Sequence, residues 1–363
     1  MWKKPWTMKE GFAISVAIAF VGVILQLATG SIVWDAFVWP VNTIVLAAFL
    51  LAITVIFLVR RNSYLIHFLS THRAAIPALV VAAALTIVMG LTRQNDSGFW
   101  WEDMVSCWPF ILIFTYIAFL LGQLTLRRIS HFVYFHHRHP HSEHRPWLRD
   151  IAFVLNHGGL FITLVCATLG NPDVHRVRMV VTQGETVWRA MDDRQRTVPL
   201  PFGVELQRFI LETYPDGSPR RFASELKFVK QNKQQKIATV EVNHPLNVQG
   251  WKVYQYSYDT QAGAASQVSV LELVRDPWLP YVYTGIFMML AGALLMFFDK
   301  SYSAKGLTDE ERRKSREKER KKRQKQEAKR RLAEEFVGEG EEHHHHHHHH
   351  HHSSGDEHYH AEK

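Results

Sequence analysis

The sequence predicts an α-helical membrane bundle of six spans, with an extracytoplasmic, mainly antiparallel β-domain inserted between the last two spans. Three observations support this fold class. Apolar runs of membrane-spanning length occur six times, basic residues cluster in every second loop, and the segment 171–277 changes to the two-residue period of β-strands.

The six apolar runs are each close to the ~20 residues that a helix needs to cross a bilayer. The first run is too long for a removable signal peptide and lacks the small-residue cleavage site, so we predict a retained anchor. The runs cover residues 11–30, 40–60, 76–92, 108–127, 150–170 and 278–298.

The loops between these runs predict the orientation of the spans, because Lys and Arg accumulate on the cytoplasmic side. Loops 31–39 and 93–107 hold three aspartates and a glutamate against one arginine. The other loops and the tail are basic, with Lys3, Lys4, Lys9, Arg60, Arg61, Arg73, Arg127, Arg128, Arg138, Arg145 and Arg149 before the last spans. We therefore predict a multi-pass protein of the cytoplasmic (inner) membrane with both termini in the cytoplasm. Residues 171–277 would then be periplasmic.

The segment 171–277 consists of short runs rich in β-branched and aromatic residues, separated by turn signals. The runs are VRMVVT, VELQRFILETY, ASELKFV, KIATVEV, WKVYQYSYD and SQVSVLELV, and the turns are PDG at 215–217, NHPLN at 243–247 and QAG at 261–263. This pattern predicts a small antiparallel β-domain that is tethered to spans five and six at its two ends.

These patterns divide the chain into six segments. They are a two-span hairpin (1–60), spans three to five with a His-rich cytoplasmic loop (61–170), the β-domain (171–277), the last span (278–300), a charged cytoplasmic tail (301–342) and an expression tag with its linker (343–355). The tail has too few apolar positions for a core, so we expect a single helix or disorder. The residues DEHYHAEK follow the tag, and a tag inside native sequence would suggest that more of a longer native chain was originally downstream.

Charge and cysteine content argue against two function classes. The net charge of +8 comes largely from the cytoplasmic loops and tail, so topology and attraction to anionic lipid explain it better than nucleic-acid binding. Cys107 and Cys166 form no CxxC, so the chain has no thiol-redox motif of its own. Both should lie near the outer face, where a disulfide is conceivable, but we expect ordinary span-end residues.

The fifth apolar run contains LNHGGLF, residues 155–161, and with it an ionisable side chain in a span. Such a residue is a functional hypothesis because an unpaired imidazole in hydrocarbon is costly. On a helix, Phe153, His157, Phe161 and Leu164 share one face, while Gly158 and Gly159 leave room for another helix or a flat macrocycle. Two interpretations stay open: an axial ligand of haem iron, or a histidine hydrogen-bonded to a neighbouring helix.

The other histidines and aromatic clusters favour structural interpretations. No second histidine falls in a predicted span, so a second intramembrane ligand would have to come from another polypeptide. The run HHRHPHSEH at 136–144 reads as a solvated loop, since it lacks a Cys-based framework and Pro140 interrupts it. Trp100, Trp101 and Trp108 are typical of an interfacial belt. His244 is expected to hydrogen-bond the backbone in a turn.

Several ordered motifs resemble the ResB family, also called CcsB or Ccs1, of the System II cytochrome c biogenesis machinery. ASELKFV, VEVNHPLNVQGWKVYQYSYD and LELVRDPWLPYVYTGIFMMLAG are similar to its periplasmic domain and last span. FLSTHRAAIPALV and SCWPFILIFTYIAFLLGQLTLRRI are similar to its earlier spans. The resemblance covers about residues 65–300, and residues 1–60 go beyond the family's four-span minimum.

The resemblance implies a role in haem handling. ResB-like proteins associate with, or are fused to, CcsA, and together they export haem and attach its vinyl groups to the reduced CxxCH motifs of apocytochrome c. The family's H-x-G-L span matches His157 to Leu160, which implies that His157 is one axial ligand of haem b held in the membrane, beside Gly158, Gly159 and Phe161. The second ligand would come from CcsA.

The enzymatic part of such a complex is expected outside this chain. WWED at 100–103 lacks the spacing of the WWD segment of CcsA, so the chain alone should lack synthase activity. The alternative is a non-catalytic membrane scaffold whose β-domain docks apocytochrome c or a thioredoxin-like thiol reductant for the CcsA synthase. A quinol-linked electron-transfer subunit is disfavoured, because paired span histidines are absent.

Overall fold

A computed structural model describes residues 2–95, 98–138, 147–298, 313–314 and 316–329. The chain divides into two units, Met1–Met296 and Phe297–Lys363. In the second unit, residues 316–329 are helical, which agrees with the helical alternative for the tail. The expression tag at 343–355 lies outside the described residues.

Among the described residues, six helices are long and apolar enough to cross a membrane, as predicted. They are α1 (Met8–Thr29), α2 (Val41–Leu58), α4 (His72–Leu91), α5 (Trp108–Arg138), α6 (Trp147–Gly170) and α7 (Leu279–Phe298), and a short α3 (Tyr64–Leu69) precedes α4. Their outward faces are apolar: Leu27 of α1 is 75% exposed and Leu91 of α4 is 83% exposed. Helices that are apolar on every side are typical of a membrane solvent.

Helix α5 is longer than the sequence predicted. The polar composition after Arg127 indicated a loop, but the helix continues to Arg138 and has 31 residues. The extension contains neither Gly nor Pro between Gln123 and Arg138, so nothing in the backbone ends the helix when the side chains become polar. The rest of the His-rich loop, residues 139–146, lies outside the described residues.

The segment between α6 and α7 forms one eight-stranded sheet, which confirms the mainly antiparallel β-fold. Its strands are β1 (His175–Thr182), β2 (Val187–Asp192), β3 (Thr197–Thr213), β4 (Pro219–Lys230), β5 (Gln235–Glu241), β6 (Leu246–Val248), β7 (Trp251–Tyr258) and β8 (Val268–Arg275). The order is β5-β4-β3-β2-β1-β8-β7-β6, and all neighbours are antiparallel. The sequence did not predict β2 and β6.

The sheet curls until its two halves face each other. Register shifts near Leu206 in β3 and near Gln255 in β7 increase the twist locally. Strand β4 then reaches across the interior to β7 and β8, where the Ser224 hydroxyl donates to Gln255 Oε1 at 2.6 Å and lies 2.7 Å from Ser269 Oγ. Alternating side chains fill the remaining interior with an apolar core.

The two connections between the sheet and the helices are tied together at Asp173. Its carboxylate accepts hydrogen bonds from the Trp39 backbone N–H at 2.8 Å, from Asn42 Nδ2 at 2.8 Å and from Trp278 Nε1 at 2.7 Å. Asn42 also donates to the Leu169 carbonyl at 2.9 Å. The start of α2, the end of α6 and the start of α7 are therefore joined at one buried polar centre.

Candidate functional site

His157 lies near the middle of α6, and its ring contacts the backbone of its own helix. Nδ1 is 3.0 Å from the backbone carbonyl oxygen of Phe153, one turn earlier. A carbonyl oxygen can only accept, so this contact is a hydrogen bond when Nδ1 carries the proton. In the neutral ring with that tautomer, Nε2 holds the lone pair with which an imidazole binds a metal. The bond is made within its own helix, not to a neighbouring helix.

The imidazole ring is also held by stacking. The rings of Phe153 and His157 have centroids 3.9 Å apart and planes inclined by 16°. Phe153 also contacts a cation, because the Arg128 guanidinium of α5 lies 4.3 Å from the Phe153 ring centroid. Arg128 in turn pairs with the largely buried Asp150 at 3.4 Å. Contacts from two helices thus fix the ring that supports His157.

The two glycines after His157 have different surroundings. A Cβ atom on Gly159 would lie 2.6 Å from the Gly285 carbonyl oxygen and 2.9 Å from the Met289 nitrogen, so this glycine allows the backbones of α6 and α7 to touch. A Cβ atom on Gly158 would make ordinary contacts, 3.5 Å from Thr125 and 3.9 Å from Met288. Only Gly159 is required by packing within the chain.

Of the aromatic side chains predicted to frame the imidazole, Phe153 contacts it and Phe161 contacts a different helix. Phe161 stacks on Phe49 of α2 with centroids 6.2 Å apart and an interplanar angle of 13°. Its position links α6 to the first hairpin, whose role the sequence left unexplained. Leu164 is half-buried.

Some of the other histidines lie on α5. His131 and His136 lie in the distal part of α5, stacked on Phe135 and Phe132 respectively. Among the described residues, no group of three or more His, Cys, Asp or Glu side chains could hold a metal ion. As predicted, the His244 ring contacts a backbone carbonyl, that of Val242, at 3.3 Å, and it also lies 3.2 Å from Glu241.

The cysteines and outer-loop tryptophans have structural positions. Cys107 and Cys166 are free and buried, in agreement with the expectation of ordinary span-end residues. Trp100 and Trp101 form a short turn in which Trp101 stacks on Phe99, and Trp108 Nε1 donates to the Gly30 carbonyl at 3.0 Å.

Sequence reasoning missed the partners of α6. Helix α6 packs closely against Gly285 and Gly292 of α7. A Cβ atom on Gly292 would lie 2.6 Å from Asn156 Oδ1. The seven-residue spacing of the two glycines, which puts both on one helix face, was an available signal. Arg128 was placed in the loop between spans four and five, but it lies on α5, where it contacts the Phe153 ring and pairs with Asp150 of α6.

Comparison with known proteins shows that the segment containing this site is similar to a known family. Residues 144–268 match the ResB-like family, and this range contains His157 and most of the sheet. NrfI of Wolinella succinogenes is 32% identical over 128 residues, which cover 32% of this chain and 13% of NrfI. A protein of Prochlorococcus marinus subsp. pastoris named cytochrome c biogenesis protein CcsB is 29% identical over 138 residues, covering 38% of this chain and 31% of that protein.

The resemblance to the ResB family is therefore confirmed for residues 144–268. The matched parts span less than a third of the length of each of these relatives. Among solved structures, the cytochrome c heme lyase CcmF aligns with 61% of this chain and 34% of its own length, at 12% identity and a TM-score of 0.32. A score of this size does not establish a shared fold.

Proposed function

We propose, with the ResB-like segment at residues 144–268 as the premise, that this chain is the haem-handling subunit of a System II cytochrome c synthase. The single observation that supports this most directly is the contact of His157 Nδ1 with the Phe153 carbonyl, because in the neutral ring it leaves the Nε2 lone pair free to bind a metal. In this role the chain works in cytochrome c biogenesis with a CcsA-like membrane protein.

In the proposed site, His157 Nε2 is one axial ligand of haem b, which is the transported substrate. The partner would supply the second ligand, because the six apolar runs predicted from the sequence contain no histidine other than His157. Phe153 and Arg128 hold the imidazole in one orientation, as outer partners of metal-binding histidines do. Gly158 is a small residue next to the proposed ligand, Gly159 sets the distance between α6 and α7, and Phe161 fixes α6 against α2.

The proposed topology implies the direction in which haem is exported. Both termini and the basic loops are cytoplasmic, and the sheet is periplasmic, so α6 runs outward from the side on which haem is made. The sheet would then stand where apocytochrome c receives haem on its CxxCH motif, whose thiols a thioredoxin-like protein keeps reduced. Synthase activity requires the CcsA-like subunit.

The experiment compares the full chain with His157→Ala, each purified with its CcsA-like partner. The wild-type complex should show a haem absorbance band, and His157→Ala should lose most of it while the complex keeps its composition. His244→Ala is the matched control, because it removes an imidazole from an exposed turn of the sheet. Full haem occupancy and full cytochrome c maturation in His157→Ala would refute the ligand assignment.

The same samples test the scaffold alternative. A scaffold that docks apocytochrome c or a thiol reductant predicts stoichiometric complexes in which maturation does not depend on His157. Loss of haem with an intact complex favours haem handling, whereas unchanged maturation in His157→Ala favours the scaffold.

A further inference from the structure

The helices have one end at which the basic loops lie, and this end contains a second candidate site. A cleft of about 930 Å³ opens between the end of α2, the short α3 and the distal part of α5. Lys4, Arg60, Arg61 and Arg127 line it together with His67 and His131. We call it the basic cleft. It shares no residue with the surroundings of His157.

Three of the four permanent cations of the basic cleft are held in place by contacts that do not neutralise them. Arg127 Nη1 contacts Ser70 Oγ at 3.0 Å, Lys4 Nζ lies 4.8 Å from the Tyr64 ring centroid, and Arg60 lies 3.9 Å from the Phe57 ring centroid. In the part of the chain that the structure describes, none of the four forms an ion pair with a carboxylate.

The chemistry of the wall indicates the class of ligand. Besides the cations and the two histidines, the lining consists of serine, asparagine and tyrosine side chains. A porphyrin needs mainly apolar walls, so this cleft does not suit haem. Several cations and hydroxyl donors without a carboxylate suit a compact, highly charged anion such as phosphate.

The position of the cleft suggests where such a phosphate would come from. The cleft lies where α2 ends at Leu58 and α4 begins at His72, at the end of two membrane-spanning helices. Basic pockets between spans on the cytoplasmic side bind the headgroups of anionic lipids.

We propose that the basic cleft is a phosphate-binding site that takes the headgroup of an anionic phospholipid. The ligand contacts the N-terminal segment, α3 and α5 together, because Lys4, His67 and Arg127 belong to these three elements. The proposal is independent of the haem assignment, since it requires neither His157 nor a partner protein.

The test measures binding to the delipidated full chain in detergent by native mass spectrometry. The probes are dioleoyl phosphatidylglycerol, dioleoyl phosphatidylcholine and inorganic pyrophosphate. The double variant Arg61→Gln/Arg127→Gln should bind phosphatidylglycerol at least about tenfold more weakly, since each cation near a headgroup contributes appreciably to its binding. Phosphatidylcholine, which has no net charge, should bind weakly to every variant.

The matched control is Lys3→Gln/Lys9→Gln, which removes two cations near the N-terminus that do not line the cleft. It should keep phosphatidylglycerol affinity within about threefold. Ser130→Asp keeps all four cations and adds a carboxylate to the wall, so it should weaken binding even if the double variant unfolds. Thermal unfolding of each variant identifies any that is misfolded.

Three outcomes separate the possibilities. Weakening confined to the cleft variants, without competition by pyrophosphate, supports a lipid headgroup. Competition by pyrophosphate at similar concentration supports the same phosphate site with a soluble ligand. Equal phosphatidylglycerol affinity in the wild type, the cleft variants and the control would overturn the proposal, because the basic side chains would then serve orientation alone.

Discussion

The helices and the sheet of this chain differ in how far their large apolar side chains are exposed. In the sheet, the largest apolar side chains are completely enclosed, as Phe202 and Leu271 are at 0% exposure. In the helices, comparable side chains point outward: Leu27 is 75% exposed and Phe287 of α7 is 65% exposed. The contacts between helices combine buried apolar side chains, such as Phe68 and Ile113, with glycines, such as Gly159, and polar groups, such as Asp173.

This difference indicates which force stabilises the sheet and which stabilises the helices. The sheet follows the rule of water-soluble domains, in which removing apolar area from water stabilises the fold. In lipid no such force draws helices together, so van der Waals packing, close backbone approach and hydrogen bonds must do so. Substitutions chosen from the two parts therefore test whether their stability has different origins.

The largest effect is expected in the core of the sheet. Leu271→Ala should lower the free energy of unfolding by about 2–5 kcal/mol, because it removes buried methyl groups and leaves a cavity. Leu27→Ala, on the outer face of α1, should change it by less than about 0.5 kcal/mol. Pulse proteolysis of the purified chain measures both, and equal losses would contradict the proposed difference in solvent.

The next effect is expected at the polar centre that joins the helices to the sheet. Asp173→Ala leaves three donors without their acceptor and should cost about 2–3 kcal/mol. The control is Asp35→Ala, which removes an exposed ion pair with Arg194 and should cost under about 1 kcal/mol. Thermal unfolding in detergent compares them, and a similar midpoint for both variants would show that the buried centre is dispensable.

A matched pair of glycines tests close packing in the helices. Gly159→Ala should destabilise the chain by about 1–3 kcal/mol, because its Cβ would meet the backbone of α7. Gly158→Ala has room for the methyl group and gains helix propensity, so its stability should stay the same or rise slightly. The unfolding midpoints decide this. Loss of haem in a stable Gly158→Ala variant would place Gly158 at the ligand.

The smallest effect is expected from removing an exposed ion pair between β3 and β4. The hydrogen bond from Arg220 to Glu212 is the largest factor that lowers the pKa of this carboxyl group below its ordinary value of 4.5. A carboxylate with a lowered folded-state pKa stabilises the fold above its ordinary pKa, and this contribution is lost as the pH falls through the folded value. Glu212→Gln should therefore flatten the acid side of the stability curve slightly, as followed by thermal unfolding at decreasing pH. An unchanged acid limb would show that the pair contributes nothing.

Much of this fold was predictable because its signals are local. The spans were found by length and hydropathy, and six of the eight strands by alternation and turn residues. Strand β2 was missed because Arg189 and Asp192 interrupt its apolar alternation, and β6 because it has three residues. The extension of α5 was missed because composition was used to end the helix where no helix-breaking residue exists.

The candidate site was predictable only in part. His157 is recognisable as an ionisable residue in an apolar run, and Phe153 as its neighbour one turn away. The contact of Gly159 with Gly285 and that of Phe161 with Phe49 depend on how distant helices meet. One sequence read alone does not specify such meetings.

The length of α5 has a consequence for the reach of the molecule. A helix of 31 residues is about 46 Å long, whereas the hydrocarbon core of a bilayer is about 30 Å thick. Where α5 crosses such a bilayer, its length exceeds the hydrocarbon core, so its polar distal turns, with His131 and His136, extend beyond the lipid tails.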